Sequence, residues 1–395
     1  MSKFTKIEKL EDLIKDTVDG QLVEQTVTSL LPPGENFGSV MYKVDFKVKK
    51  GDKEEEYHAV AKCTPLNTFT QEIFNTQTTF KSEIAWYTTV IPTIKDFQKT
   101  SGDFFQKFYG ARISLNPDSD VVDANGVILT ENLKISGYSN VDRHLGFNLD
   151  QSKAVLRDLA TFHATPIAIK LKNKPLFDEK IRPYLPGLKP GDPEANPIKH
   201  LSKQLISIPE LAQYVDRIES NIKNNSDSLD KSVNEPWGSI SHDDFWINNV
   251  MITNDPIPKV VILDFQCPVY GSITADLLFF LSTSVNLDII RTNMDLLIQY
   301  YWDEFVKNLV ELKIDTALFP HEEFLKELDE VAQRQFSHAA FHTFIIFAEK
   351  GTTALDSSKA DFKKEEFEHN DMSLNSRHIT KYIWLVEEYA KRNWI

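Results

Sequence analysis

Apolar and polar residues follow different periods in the two parts of the chain, and the change falls near residue 133. Residues 1–30 place apolar residues at helical spacing, which predicts a helix leading into a loop at LLPPGENFGS. The segments MYKVDFKV and YHAVAKC then read as strands on either side of a charged turn at Gly51 and Asp52. This pattern predicts an antiparallel β-hairpin.

Two further segments complete the first part of the chain. Residues 70–95 carry apolar residues with few helix breakers and predict one long helix. The segment VVDANGVILTENL predicts a second hairpin with its turn at Asn125 and Gly126. We therefore expect residues 1–133 to form a sheet-rich unit that also holds an N-terminal helix and one long helix.

The second part, residues 134–395, is predicted to be mainly helical. DQSKAVLRDLATFHA has a helical apolar stripe, and helical patterns return from about Thr274 to the end. Residues 175–197 hold six of the eighteen prolines, which predicts an ordered loop over a cleft rather than a long helix. The segment WGSISHDDFWINNVMITNDPIPKVVILDFQ predicts a short β-rich interruption, and residues 240–266 within it are the candidate catalytic loop. This order of elements predicts an α+β protein of two units.

Composition and charge exclude several classes of function. The chain has 395 residues, with 44 Lys and Arg against 58 Asp and Glu, and its net charge of −14 repels phosphate backbones and anionic bilayers. We expect no nucleic-acid partner and no membrane association, and no obligate protein partner is evident. Two cysteines and a polar, charged start favour a reducing, cytoplasmic location.

The strongest chemical signal combines acidic and amide side chains. His242, Asp244 and Asn249 occur in HDDFWINN, and Asp264 follows in the apolar segment VVILDF. A loop that folds back would place the Asp244 carboxylate and the Asn249 amide in one cavity. Such oxygen ligands suit Mg²⁺, which prefers one or two carboxylates plus substrate phosphates. Taken singly, these residues are also typical of turns, but together they resemble the H-x-D-x-x-x-x-N and D-F-G pair of the protein-kinase-like fold.

A phosphate-binding site needs local positive charge, and Lys62 is the candidate. Alternation in YHAVAKC places Lys62 on the same face as Val60, where its charge would be partly desolvated. Glu83, in the helical stretch FKSEIAWY, offers a carboxylate that could orient the ammonium toward α and β phosphates. Taken alone, either residue could equally be a solvated surface residue. A lysine on the hairpin followed by a glutamate on the helix, in this order, favours a phosphate-binding site.

Two backbone segments are candidates for nucleotide contacts. In the first, main-chain N–H groups of a glycine-containing turn could cover phosphates, although a simple tight turn explains the pattern equally well. This turn contains Gly34, Asn36, Phe37, Gly38 and Ser39. In the second, LTENL, main-chain groups at Glu131 and Leu133 could bond an adenine edge, and a plain connecting segment is the alternative.

Histidines in the helical part allow a competing interpretation. His163, His338 and His342 lie in apolar helical patterns, which favours packed, hydrogen-bonded side chains. A metal-dependent phosphohydrolase would instead use His242 and Asp243 as metal ligands, with His338 and His342 as a helical pair. Such a site would hold a transition metal tightly, whereas a kinase site would hold Mg²⁺ loosely.

The chain resembles the ecdysteroid kinase-like family of arthropods, whose members are related to choline and aminoglycoside kinases. The similarity spans nearly the whole sequence and rests on the ordered segments GENFGS, AKCTP, FKSEIAWY, VILTENLK, SHDDFWINNVM, VVILDFQ and YGSITADLLFFLSTS. It implies a bilobal protein-kinase-like fold with a sheet-rich N-lobe and a larger helical C-lobe. ATP and Mg²⁺ would bind between the lobes, and the hydroxyl of a small molecule, an ecdysteroid or another hydroxylated lipophilic compound, would be phosphorylated.

The resemblance also implies roles for individual residues in the reaction. Lys62 would contact the ATP phosphates, and Glu83 would hold Lys62 in place. Asp244 would accept the proton of the acceptor hydroxyl, and His242 would brace the loop that carries Asp244.

Further residues of the resemblance concern the metal and the loop. Asn249 and Asp264 would hold Mg²⁺, and Asp276 would be a buried structural carboxylate. Asp243 stands where the family usually has glycine, and this departure adds a carboxylate beside Asp244. It motivates a second interpretation, a catalytically silent protein of kinase fold that binds a small molecule.

Overall fold

The computed structural model has two lobes, a smaller one built on an antiparallel sheet and a larger helical one. The structure describes residues 5–31, 38–98, 103–187, 203–226, 233–349, 357–362 and 373–395. The smaller lobe comes first in the chain. The α+β class and the bilobal arrangement predicted above are confirmed.

The N-lobe sheet has five strands in the order β1-β2-β3-β5-β4, and all neighbouring strands are antiparallel. The strands are β1 Gln21–Ser29, β2 Val40–Lys50, β3 Lys53–Cys63, β4 Phe108–Arg112 and β5 Val127–Glu131. The helices of this lobe are α1 Leu10–Ile14, α2 Thr68–Ile73, α3 Thr76–Ala85 and α4 Ile91–Gln98, with a π-helical turn at Trp86–Val90 between α3 and α4.

The C-lobe combines long helices with short strands in two small sheets, β10-β7 and β6-β8-β9. Its strands are β6 Tyr138–Ser139, β7 Gly238–Ser241, β8 Val250–Thr253, β9 Val260–Ile262 and β10 Val269–Ser272. Its helices are α5 Leu149–Lys172, α6 Lys174–Lys180, α7 Val215–Ser226, α8 Ile273–Thr283, α9 Leu287–Glu311, α10 His321–Phe347 and α11 Ser376–Lys391.

Local sequence explains the elements that carry the site. The β2–β3 hairpin pairs residue by residue from Val40↔Cys63 to Lys50↔Lys53, as the alternation predicts. Helix α5 begins at a capping box in which Asn148 and Gln151 satisfy each other's backbone N–H groups. Its buried face packs against α9 in the main hydrophobic core of the C-lobe.

The prediction for residues 1–30 is wrong over much of its length. The described part contains a helix only at Leu10–Ile14, and residues 21–29 form strand β1 at the edge of the sheet. The segment QLVEQTVTS has β-branched residues and pairs along its length with β2. Pairing with a strand beyond the following loop therefore outweighs the helical spacing of its apolar residues.

The predicted hairpin at residues 121–133 has a different partner strand. The second strand of the predicted hairpin is present as β5, but β5 pairs with β4 at residues 108–112 and not with residues 121–123. Asp123 instead organises the connecting loop, since its carboxylate accepts from Ser114 Oγ at 2.7 Å and from the Asn125 N–H at 2.7 Å. The predicted turn at Asn125 and Gly126 closes that loop, because Gly126 N–H donates to Asp123 O.

Two other predicted elements are modified. The long helix at residues 70–95 is helical but interrupted at Asn75, whose backbone is left-handed with φ 44°. The proline-rich segment begins as helix α6, with Pro175 in the first turn, where a missing N–H is tolerated. Residues 188–197 of that segment lie outside the described residues.

Aromatic stacking joins the two lobes next to the cleft. The Trp86 ring of the π-helical turn stacks on Phe265 with centroids 4.7 Å apart and planes 4° apart. Trp86 Nε1 donates to the carbonyl oxygen of Tyr184 at 3.0 Å. Both rings are fully buried. This contact fixes Phe265, the neighbour of Asp264, against the helical segment that carries Glu83.

Candidate active site

A cavity of about 640 Å³ lies between the lobes and takes its walls from both. It brings together side chains from β3, α3, the loop after β7 and the loop after β9. Among the predicted site residues, those that line it are Gly38, Ser39, Lys62, Glu83, Leu133, Asp244, Asn249 and Asp264. The remaining predicted site residues within the described ranges, Glu131 and His242, lie outside this lining. Gly34, Asn36 and Phe37 fall outside the described residues.

Lys62 lies at the centre of an ionic cluster. Its Nζ is 2.6 Å from Glu83 Oε2 and 2.8 Å from Asp264 Oδ1. The side chains of Lys62 and Glu83 are 10% and 3% exposed, so their charges are largely shielded from water, whereas Asp264 is 27% exposed toward the cavity. The carboxylates hold the ammonium at the cavity wall, where it can meet a phosphate.

Burial and charge act in opposite directions on this cluster. Burial alone disfavours the charged ammonium, but attraction by Asp264 and Glu83 outweighs it and raises the pKa of Lys62 above its ordinary value. Burial raises the pKa of Glu83 to about 7, although the charge of Lys62 opposes this change. Lys62 therefore stays positively charged at neutral pH, as a phosphate ligand must.

The carboxylate of Asp244 is held by the amide predicted to accompany it. Asn249 Nδ2 donates to Asp244 Oδ2 at 2.8 Å and to the Asp244 carbonyl at 2.9 Å. A 3₁₀ turn at Ile247–Asn249 folds the chain back and makes this contact possible over five residues. Asp244 is 23% exposed, so one face of its carboxylate remains accessible from the cavity.

The donors fit a magnesium ion rather than a closed metal cage. Because Asn249 commits its amide N–H group to Asp244, its carbonyl oxygen is the atom left for a cation. Asp264 supplies a carboxylate at the same cavity. Within the described ranges, no three His, Cys, Asp or Glu side chains converge on a common point. One carboxylate and one amide oxygen, completed by phosphates and water, match the usual environment of Mg²⁺.

A buried carboxylate fixes the start of the loop that carries Asp244. Asp276 accepts from the backbone N–H groups of His242 at 2.6 Å and Asp243 at 3.0 Å, and from Ser241 Oγ at 2.9 Å. His163 Nε2 lies 3.0 Å from its Oδ2. Burial alone would raise the pKa of Asp276, but the hydrogen bond and charge of His163 outweigh it and lower the pKa.

His242 lies behind the cavity rather than in it. Its Nε2 is 2.8 Å from the carbonyl oxygen of Leu263, the residue before Asp264. The contact links the loop of Asp244 to the loop of Asp264, an arrangement compatible with the bracing role implied by the resemblance. Asp243 has a left-handed backbone with φ 62°, a conformation that glycine adopts without strain.

In the segment predicted to contact the adenine, several main-chain groups already form hydrogen bonds within the protein. The Glu131 N–H donates to Lys107 O, and the Glu131 carbonyl accepts from Gln106 Nε2 at 2.7 Å. The Leu133 carbonyl accepts from two backbone N–H groups, those of Ser136 and Tyr138. Sequence reasoning missed Gln106, which lines the cavity beside this segment.

Sequence reasoning also missed His342. The pattern of α10 indicates a packed histidine, but Nε2 of His342 lies 3.3 Å from Asp244 Oδ1. The alternative metal site with His242, Asp243, His338 and His342 does not form, because within the described residues no three His, Cys, Asp or Glu side chains converge on a common point. No motif signals a contact between a histidine in an apolar helix and a loop so distant in sequence.

The two lobes, the paired lysine and the loop carboxylates define a protein of the kinase-like class. A family model identifies the group more closely: the chain belongs to the ecdysteroid kinase-like family, which it matches over residues 33–314. A sequence search of curated proteins found no match.

Solved structures similar to this chain include small-molecule kinases. Plasmodium vivax ethanolamine kinase is 13% identical, with a TM-score of 0.45, and the match covers 96% of this chain and 86% of that one. The gentamicin complex of APH(2")-IIa is 13% identical, with a TM-score of 0.41 and coverage of 96% and 94%. The GDP complex of an aminoglycoside phosphotransferase of type IIIa is 11% identical, with a TM-score of 0.44 and coverage of 98% of both chains.

One finding concerns membranes. Within the described ranges, every helix is too short or too polar to cross a bilayer.

Proposed function

We propose that the protein transfers the γ-phosphate of ATP to a hydroxyl group of a small organic molecule. The observation that carries the proposal is the placement of Lys62 between Glu83 and Asp264 in a cavity that Asp244 also lines. A buried cation, a metal-binding carboxylate and a partly exposed base are the groups that phosphoryl transfer requires. The family name supports ecdysteroids or other hydroxylated lipophilic compounds as acceptors.

Each residue has a definite task in this proposal. Lys62 binds the α and β phosphates, and Glu83 keeps its ammonium at the cavity wall. Asp244 accepts the acceptor's hydroxyl proton through the carboxylate face that the cavity exposes. Asn249 and Asp264 would hold Mg²⁺, and the bound ion would supply neutralisation of phosphate charge. Positioning and neutralisation of charge supply most of the rate enhancement in such reactions.

The silent-binder alternative rests on the extra carboxylate of Asp243. Its backbone N–H donates to Asp276, and Asp243 is absent from the cavity lining formed by the described residues. Asp244, in contrast, lines the cavity and contacts Asn249. This placement favours Asp244 as the base and weakens the argument that Asp243 blocks the loop.

The experiment incubates purified protein with Mg²⁺ and radiolabelled ATP against a panel of ecdysteroids and other alcohols. We expect label to appear in at least one acceptor and to be lost with Asp244→Asn. Binding of ATP measured by thermal shift serves as the folding control. Nucleotide binding without transfer to any alcohol in the panel would favour the silent binder instead.

A further inference from the structure

His342 lies against the candidate base but outside the residues matched by the family model. It belongs to α10, at the C-terminal side of the matched range 33–314. Its Nε2 is 3.3 Å from Oδ1 of Asp244. The other oxygen of that carboxylate, Oδ2, accepts from Asn249 at 2.8 Å. Both carboxylate oxygens of Asp244 therefore have a nitrogen neighbour.

The chemistry of the carboxylate sets the direction of the contact between His342 and Asp244. An ionised carboxylate oxygen only accepts, so in a hydrogen bond to Asp244 Oδ1, 3.3 Å away, Nε2 of His342 is the donor. The other ring nitrogen, Nδ1, faces the carbonyl oxygen of His338 at 3.2 Å. The ring is therefore placed with Nε2 toward Asp244 and Nδ1 toward its own helix.

Aromatic neighbours fix the ring in this orientation. From α8, Phe279 packs edge-on with centroids 4.7 Å apart, and from the catalytic loop Trp246 lies at 6.1 Å. From its own helix, His338 lies at 4.6 Å and Phe341 at 5.6 Å. Among these neighbours in the described part of the chain, the titratable side chains against the ring are Asp244 and His338. With 15% of the side chain exposed, His342 is held beside Asp244 rather than free in solvent.

We propose that His342 is the positioning residue for Asp244, donating from Nε2 to Oδ1 while Asn249 holds Oδ2. The proposal rests on the kinase function proposed above. In the reaction, the acceptor oxygen forms a bond to the γ-phosphorus, and the bond from that phosphorus to the β–γ bridging oxygen breaks to release ADP. The hydroxyl proton moves to a remaining lone pair of Asp244. His342 keeps its own protons and fixes the direction of the carboxylate.

Two substitutions separate positioning from simple packing. His342→Phe keeps the ring among aromatic neighbours but removes the donor, and His342→Gln keeps an N–H donor in poorer packing. We expect kcat to fall by about 10-fold to 10²-fold in the Phe variant, with the KM for ATP unchanged, because small misplacements of a catalytic group have effects of this size. The Gln variant should recover most of the rate.

The matched control is His321→Phe, on the same helix but packed on Trp302 with ring centroids 5.1 Å apart. It should leave kcat unchanged. If packing alone mattered, the order would invert, with His342→Phe near wild type and His342→Gln impaired. That order, or equal rates in all variants, would overturn the proposal.

A measurement without any acceptor tests the hydrogen bond itself. In protein labelled with ¹⁵N-histidine, the signals of His342 are assigned by their loss in His342→Gln. We expect Nε2 of His342 to carry a hydrogen in the wild type and its signal to shift in Asp244→Asn, because the carboxylate acceptor is lost. An Nε2 without a hydrogen in the wild type, or a signal that does not change in Asp244→Asn, would refute the proposal. If no acceptor is phosphorylated, the kinase function fails, while this spectrum still decides whether His342 donates to Asp244.

Discussion

The ammonium of Lys62 lies 2.8 Å from the carboxylate of Asp264, although 202 positions separate the two residues in the chain. Lys62 comes from the N-lobe sheet and Asp264 from the loop after β9 in the C-lobe. Their contact places a positive charge and a carboxylate on the same wall of the cleft. In an acidic protein with a net charge of −14, this local charge is what the proposed triphosphate site depends on.

Replacing Lys62 tests the contribution of this charge. In Lys62→Met, the carboxylates of Glu83 and Asp264 face each other without a cation. We expect turnover to fall by at least about 10²-fold, because a charge that stabilises the transferring phosphate is lost. We also expect the free energy of unfolding to fall by up to about 3–5 kcal/mol, the usual effect of removing one partner of a buried ion pair.

The control for Lys62→Met is Lys53→Met, an exposed lysine at the other end of the same strand. Denaturant unfolding and steady-state turnover should both remain near wild type in this control. Equal turnover in the two variants would show that Lys62 does not contact the phosphates.

The left-handed backbone at Asp243 predicts the order of stability of the wild type and its Gly and Ala variants. A residue with a Cβ atom is strained at φ 62°, and Asp tolerates this conformation better than Ala. Asp243→Gly should therefore be at least as stable as the wild type, and Asp243→Ala less stable by about 1 kcal/mol. Thermal unfolding of the three proteins measures the order.

Asp303, an exposed residue inside helix α9, provides the opposite case. There the Ala variant should be more stable than the Gly variant by about 1 kcal/mol, as in other helix interiors. If Asp243 gave the same order as Asp303, the left-handed backbone would not be the cause of the effect.

Lys381 gives a pH dependence remote from the active site. It is buried in α11 over the Trp384 ring, and burial, followed by the charge of Arg291, lowers its pKa to about 7. Between about pH 7 and the ordinary value of 10.5, the folded state binds fewer protons than the unfolded chain. The stability contributed at this position therefore rises with pH across this window.

The comparison with Lys381→Met isolates this effect. The unfolding free energy of the wild type minus that of Lys381→Met should increase as the pH is raised from 7 toward 10. Lys391→Met, which replaces a 72% exposed lysine on the same helix, is the matched control for the loss of a lysine side chain. A flat difference for Lys381→Met would mean that its amine keeps its proton on folding.

Sequence predicts the parts of this fold that depend on neighbours in the chain. The β2–β3 hairpin and helix α5 follow from local alternation, periodicity and capping. Strand β1 and the partner of β5 do not, because their pairing crosses loops whose length and course leave no local pattern. Register between strands is decided by burial of one face of the whole sheet.

The candidate site likewise has residues that the sequence predicts and contacts that only the structure shows. Lys62, Asp244, Asn249 and Asp264 could be proposed because their order and spacing form motifs. The geometry of their contacts needed the structure, as did the role of His342, since a histidine in an apolar helix looks the same whether it packs or donates to a distant carboxylate.

The most direct test of the account is phosphate transfer by Asp264→Ala, measured with radiolabelled ATP and Mg²⁺ on an acceptor that the wild type phosphorylates. Asp255→Ala, which changes an exposed carboxylate in the turn between β8 and β9, is the control. We predict that Asp264→Ala loses transfer while Asp255→Ala retains it. Transfer by Asp264→Ala near the wild-type rate would contradict the assignment of the site.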